Sequence, residues 1–161
     1  MKVVLQDIKK LEADAVFVGF YEDVRPLKGL AGELDWLLCG SLSTILLDQR
    51  IRGSLGDVAL LTSRGKIPAQ KIFMVGLGPR AAFDADALRK AVKTAASSAV
   101  GAGVRRAALA FSPGSELFSH EAVFQTIRDG LQEGTGGGVL DVSLVADDAS
   151  SYEKLSRLAR A

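Results

Sequence analysis

The chain has 161 residues, 48% of them hydrophobic and 24% charged, with a formal net charge of +1. This balance lacks the basic excess of a dedicated nucleic-acid binder. A single cysteine, Cys39, and a single histidine, His120, exclude an intrachain disulfide and a Cys/His metal cluster.

The length suits one domain over residues 1–161, burying about 70% of the surface its unfolded chain would expose. The first residues, MKVVLQDIKKLEAD, have no signal-peptide core, and no segment approaches the length needed to span a bilayer. A reducing cytoplasm is the expected location, and a membrane is not an expected partner.

Lys2 to Gln6 reads as a first strand, and Ala13 to Tyr21 as a second whose near-continuous apolar run suits an interior position. Arg25-Pro26-Leu27-Lys28-Gly29 reads as a turn or loop. Leu30, Leu34, Leu37, Leu38, Leu42, Ile45 and Leu46 then follow helical spacing across Gly40 and Ser41. Two short helices or one kinked helix fit, with Ser41 capping a new start, Trp36 at the rim of the apolar face and Cys39 a small buried hydrophobe. Val58 to Thr62 is a strand, and the short loop from Ser63 to Pro68 permits a hairpin but no helical crossover. The sheet is therefore mixed.

Ile72 to Val75 is the central strand. After Gly76-Leu77-Gly78-Pro79, Asp84 stands as an N-cap with Asp86 in the first turn. Leu88, Val92, Ala95, Ala96, Ala99 and Val100 form one helical face, and Gly101 and Gly103 end it. Ala107 to Phe111 is a strand, Ser112-Pro113-Gly114-Ser115 a turn, and Ser119 caps a helix with Val123, Phe124, Ile127 and Leu131 on one side. Gly134 takes the place of a helix-ending glycine in the run Gly134-Thr135-Gly136-Gly137-Gly138. A strand from Val139 to Val145 and a helix from Ser151 to Arg160 close the chain. The fold class is α/β, a three-layer α/β/α arrangement around a mixed, mostly parallel sheet of about six strands.

Gly76, Gly78 and Ala81 match the G-x-G-x-x-A form of a dinucleotide fingerprint. Asp84 and Asp86 already place negative charge at the following helix, however, and the strand ending at Phe111 carries no acidic residue for a ribose hydroxyl. A plain strand-to-helix turn accounts for the glycines. Arg80 can still offer a cation to a phosphate in the crevice at the strand ends, and Ser112, Gly114 and Ser115 occupy the corresponding loop after the next strand. Gly76, Gly78, Arg80, Ser112, Gly114 and Ser115 are thus the candidate ligand-binding residues. His120 has no partner visible in sequence and reads as solvated.

The successive stretches ADAVFVGFYED, LAGELDWLLCGSLSTILL, IRGSLGDVALL and KIFMVGLG, the last followed by FDADALRKAVKTAA, resemble the N-terminal domain of the cytosol (leucyl) aminopeptidases, peptidase family M17. The likeness continues through Ile127-Arg128-Asp129-Gly130-Leu131 and the late strand Val142 to Val145. The resemblance implies a macro-like domain that contributes to assembly of a hexamer, while a separate C-terminal domain holds two metal ions and the catalytic lysine and arginine. Nothing here matches that domain's NTDAEGR stretch, so the resemblance supplies no catalytic residue, no metal ligand and no cofactor. The well-formed last helix favours a natural stand-alone relative over a piece of a longer enzyme.

Two functions follow as expectations. The first is a non-catalytic structural or assembly domain, partnered by further copies of itself or by another protein. The second is a macro-like module that binds ADP-ribose or another phosphorylated nucleotide. Intrinsic peptidase activity is not expected.

Overall fold

The structure, a computed structural model, describes residues 1–5, 7–111 and 117–161. Six strands form one sheet: β1 (Lys2–Val4), β2 (Ala15–Phe20), β3 (Val58–Thr62), β4 (Lys71–Gly76), β5 (Arg106–Ala110) and β6 (Asp141–Val145). Their order is β1-β6-β5-β2-β4-β3. Every neighbouring pair is parallel except β3 with β4, which form the antiparallel hairpin that the short connection predicts. Among the described residues five α-helices, α1 (Gly29–Leu37), α2 (Ser41–Leu47), α3 (Ala85–Gly101), α4 (His120–Thr135) and α5 (Ala149–Arg160), and a short 3-10 turn at Arg80–Ala82 complete the fold.

Both faces of the sheet are covered, and β2 shows why its apolar run is continuous. Ala15 and Phe17 point into a core shared with α3, α4 and α5, while Val16, Val18 and Phe20 point into a second core shared with α1 and α2. Alternation therefore buries every one of these side chains. In the first core the rings of Phe17 and Phe73 stack 4.5 Å apart at 6°, which anchors β2 to β4.

The helices form for local reasons. The Asp84 side chain accepts from the Ala87 N–H, Ser119 from Ala122 and Asp148 from Ser151, so α3, α4 and α5 each begin on a side-chain cap. The inward face of α3 is mostly alanine, and Ala91, Val92 and Ala99 have no exposed surface. Val100, expected on that face, is instead 44% exposed, because the helix presents Ala96 and Ala99 to the core at its last turn.

Several expectations need correction. Ser41 is not the cap of α2. Gly40 holds that position at φ 79°, and Asp35, reaching across from α1, accepts the Ser43 N–H at 2.9 Å. Gly134 does not end α4. The helix runs to Thr135 and Gly136 closes it in the left-handed region at φ 56°. Gly134 and Gly130 instead lie against the α3 backbone, where an added Cβ on Gly134 would sit 2.4 Å from the Lys93 carbonyl oxygen. Trp36 and Cys39 are exposed rather than packed: Trp36 lies within α1 but off the face of the buried Ala31 and Leu34, and Cys39 follows the end of α1 at Leu37, where the chain turns away. The strand end at Gln6 and the turn Ser112-Pro113-Gly114-Ser115 lie outside the described residues. Among the described residues no single helix is long and apolar enough to cross a membrane.

Candidate functional site

The five parallel strands all point their carboxyl ends the same way. The connection after β2 runs through α1 and α2 to β3 at one edge, while the connection after its neighbour β5 runs through α4 to β6 on the other side, which opens a crevice above the carboxyl ends of β2 and β5. A cavity of about 180 Å³ lies there, walled by Phe20, Tyr21, Lys28, Leu77 and Arg80 and floored by Ala110. It adjoins a wider hollow of about 650 Å³ that reaches Leu5, Asp7 and Glu33, the two sharing Gly29, Leu30, Ala110 and Asp147. The inner cavity is below the roughly 300–1,000 Å³ of most small-molecule sites. A nucleotide-sized ligand would have to extend into the hollow.

The crevice is electrically divided. Lys28 and Arg80 line the inner cavity, Asp7 and Glu33 the outer hollow, and Asp147 lies between them and lines both. The Arg80 backbone N–H donates to Asp23 Oδ1 at 3.0 Å, and its guanidinium lies 5.9 Å over the Tyr21 ring. Tyr21 in turn meets Phe83 edge-on at 5.3 Å. Burial pushes the Tyr21 phenol above its ordinary pKa, with the Arg80 charge opposing that rise.

The start of α1 also faces this space. Lys28 precedes it in extended conformation with no side-chain cap, and no acidic residue lies in the first turn. Its leading N–H groups and the positive end of its dipole are turned toward a cavity that Asp147 also lines. The starts of α3, α4 and α5 are each occupied by a capping side chain, and α3 also carries Asp86 paired with Arg89 and Lys90.

Of the residues singled out from the sequence, Arg80 lines the cavity and the two glycines do not. The Gly76 N–H donates to the Asp57 carbonyl and the Gly78 N–H to the Gly53 carbonyl, both at 2.8 Å. An added Cβ on Gly76 would lie 2.1 Å from the Ser54 carbonyl oxygen. These glycines admit the Gly53–Ser54 segment, so their amides are not available to a pyrophosphate. Ser112, Gly114 and Ser115 lie outside the described residues. His120, read as solvated, is half-buried with Nε2 3.3 Å from Ser151 Oγ, and it lies away from the crevice lining. Among the described residues no group of three or more His, Cys, Asp or Glu side chains is placed to hold a metal ion.

Tyr21, Lys28 and the open start of α1 escaped the sequence reading. The usable signal was negative: Leu27-Lys28-Gly29 leads into a helical stripe without the Ser, Thr, Asp or Asn expected at its start.

Comparison with known proteins agrees with this architecture. The model of the cytosol aminopeptidase family, N-terminal domain, matches residues 16–135. A probable cytosol aminopeptidase of Geobacter sulfurreducens is 39% identical over 95 residues, covering 58% of this chain and 19% of that protein. One from Alkaliphilus oremlandii is 30% identical over 90 residues, covering 56% and 18%. The chain thus spans less than a fifth of the length of these relatives. Among solved structures, a mutant of tomato leucine aminopeptidase superposes with a TM-score of 0.71 at 19% identity, over 99% of this chain and 35% of that one. A Trypanosoma brucei macrodomain in complex with ADP-ribose gives 0.72 at 18% identity, over 98% and 68%. An Oceanobacillus iheyensis macrodomain with ADP gives 0.74 at 15%, over 98% and 88%. These structural likenesses show a macrodomain-like fold, and with the match over residues 16–135 the chain belongs to the cytosol aminopeptidase family, as its N-terminal domain.

Proposed function

We propose that this chain is a non-catalytic assembly domain that self-associates through the outer surface of α1 and α2. The observation that carries this reading is the exposure of Trp36 and Leu47, at 79% and 82%, on that one helix pair. Burying a large apolar side chain contributes about 1.5–3 kcal/mol, and tryptophan is among the residues that dominate interface energetics. Asp35 holds the two helices in a fixed bend of 106°, so the surface is set before any contact forms. The membership in an N-terminal domain family supports a supporting role beside chemistry performed elsewhere. We place the chain in the cytosol, in keeping with the names of its relatives.

Two assays test the reading. Turnover of a leucyl anilide with manganese or zinc added is expected to stay at the level of buffer, and turnover above it overturns the non-catalytic reading. Trp36→Lys and Leu47→Lys are expected to lower the mass seen by light scattering without changing the circular dichroism. An unaltered mass contradicts the proposed surface.

A second reading is favoured by one feature, the uncapped start of α1 facing Lys28 and Arg80 in the crevice. Such an arrangement suits a phosphorylated ligand, ADP-ribose or a related nucleotide. Calorimetry with ADP-ribose, ADP and inorganic phosphate tests it, with Arg80→Ala expected to weaken any binding; no heat at millimolar ligand removes the reading.

A further inference from the structure

The sheet ends on one side in β1, a three-residue strand that begins with Lys2 and packs beside α5. On the other side it ends in β3, whose sequence Val58-Ala59-Leu60-Leu61-Thr62 has none of the usual protections of an edge. It carries no charged residue, no proline and no bulge, since its register with β4 is unbroken from Val58 opposite Val75 to Thr62 opposite Lys71. The backbone bonds at its two ends fix which groups face outward. The Asp57 carbonyl accepts from the Gly76 N–H, and the Ser63 N–H donates to the Gln70 carbonyl. Antiparallel pairing alternates by two residues, so Ala59 and Leu61 face β4, while Val58, Leu60 and Thr62 turn their N–H and C=O groups away from the sheet. Among the described residues those outward groups meet no other backbone or side-chain partner. Leu60 is 52% exposed at the centre of the edge, and Leu55, just before the strand, is 40% exposed.

We infer that β3 pairs with β3 of a second copy, antiparallel and centred on Leu60. That register is self-complementary. Leu60 opposes its own copy and Val58 opposes Thr62, so every open N–H meets an open C=O about a two-fold axis. The ends agree in charge as well. The same register sets the Asp57 end of each strand beside the other copy's Arg64–Lys66 turn, whose cations form no ion pair among the described residues. A shift by two residues in either direction would leave open groups unpaired at one end. The pairing rests on the assembly reading above but uses a different surface from Trp36 and Leu47.

Hydrogen exchange on the full chain, read amide by amide at low and high protein concentration, tests the register. The amides of Ala59 and Leu61 are expected to be protected at both concentrations. Those of Val58, Leu60 and Thr62 are expected to slow by about tenfold or more only when the chain is concentrated. Leu60→Lys places a charge on the exposed edge, and Leu60→Pro removes an N–H that β4 does not use. Both are expected to raise the dissociation constant by at least about tenfold with the Ala59 and Leu61 amides still protected, which shows that the hairpin remains folded. Association that persists in these variants, with fast exchange at Val58, Leu60 and Thr62, overturns the edge pairing and leaves the α1–α2 surface standing. A wild-type chain that stays monomeric at about 100 µM, well above a micromolar dissociation constant, overturns both.

Discussion

Replacing Gly134 by alanine sets two effects of opposite sign against each other. In a helix interior alanine is favoured over glycine by about 0.8–1 kcal/mol, which is the most that an isolated α4 could gain at Gly134 in its last turn. In the folded protein the new Cβ would lie 2.4 Å from the Lys93 carbonyl oxygen and 2.6 Å from Ala96 Cβ, against the 3.4–4 Å of ordinary contact. Both obstacles are fixed to the α3 backbone, so no side-chain rotation relieves them, and α3 and α4 must separate by about 1 Å in a close-packed core. Overpacking of this kind costs about 1–3 kcal/mol. We expect a net loss of up to about 2 kcal/mol, which for a chain of this size lowers Tm by up to roughly 8 °C. Gly101→Ala is the control: nothing lies within 4 Å of its added Cβ, so it keeps the propensity gain and raises stability by up to about 1 kcal/mol. Thermal unfolding of the two variants beside wild type gives the answer. If Gly134→Ala is stabilised along with Gly101→Ala, the close approach of the two helices is wrong.

Three further outcomes follow from the same structure. Asp14 accepts the N–H groups of Arg105 and Arg106 at 3.1 and 2.8 Å and ties the starts of β2 and β5 together, so Asp14→Ala should cost about 1–2 kcal/mol in chemical denaturation near neutral pH. The bonds from Arg106 above all hold the Asp14 carboxyl below its ordinary pKa of 3.8. Its contribution is therefore present above that value and lost as pH falls through the lower folded value, and the gap between wild type and variant should close in acid but not in mild base. Ser119→Ala, which frees the Ala122 N–H at the start of α4, should cost about 0.5–2 kcal/mol, with Ser119→Asp restoring most of it. Trp36, the sole tryptophan, is 79% exposed, so its fluorescence should shift little on unfolding of the dilute chain and move to the blue as the chain is concentrated. A blue-shifted emission already present at high dilution would place the indole inside the fold.

Much of the fold was legible in the sequence because its signals are local. Asp84, the alanine face of α3 and the length of the connection between Thr62 and Lys71 each act over a few residues, and they yield the strands, the helices and the hairpin. Gly134 shows where such reading ends. A glycine near a helix end and a glycine that admits another helix look alike in sequence, and only the Lys93 carbonyl across from it decides between them. His120 and Ser151 are likewise partners separated by 31 residues. The break after Leu37 takes Cys39 off the buried face, and Trp36, two residues past the buried Leu34 within α1, points away from it. In the crevice, Arg80 was legible as a cation next to a strand end. Lys28 and Tyr21 were not, because their place depends on β2, β4 and α1 meeting in space.

Assembly without catalysis is the role we propose for this domain. Sedimentation equilibrium of the intact chain over a wide concentration range tests it most directly. The mass is expected to rise above the 17.0 kDa of one chain toward a closed oligomer, and a mass fixed at one chain throughout would rule out assembly.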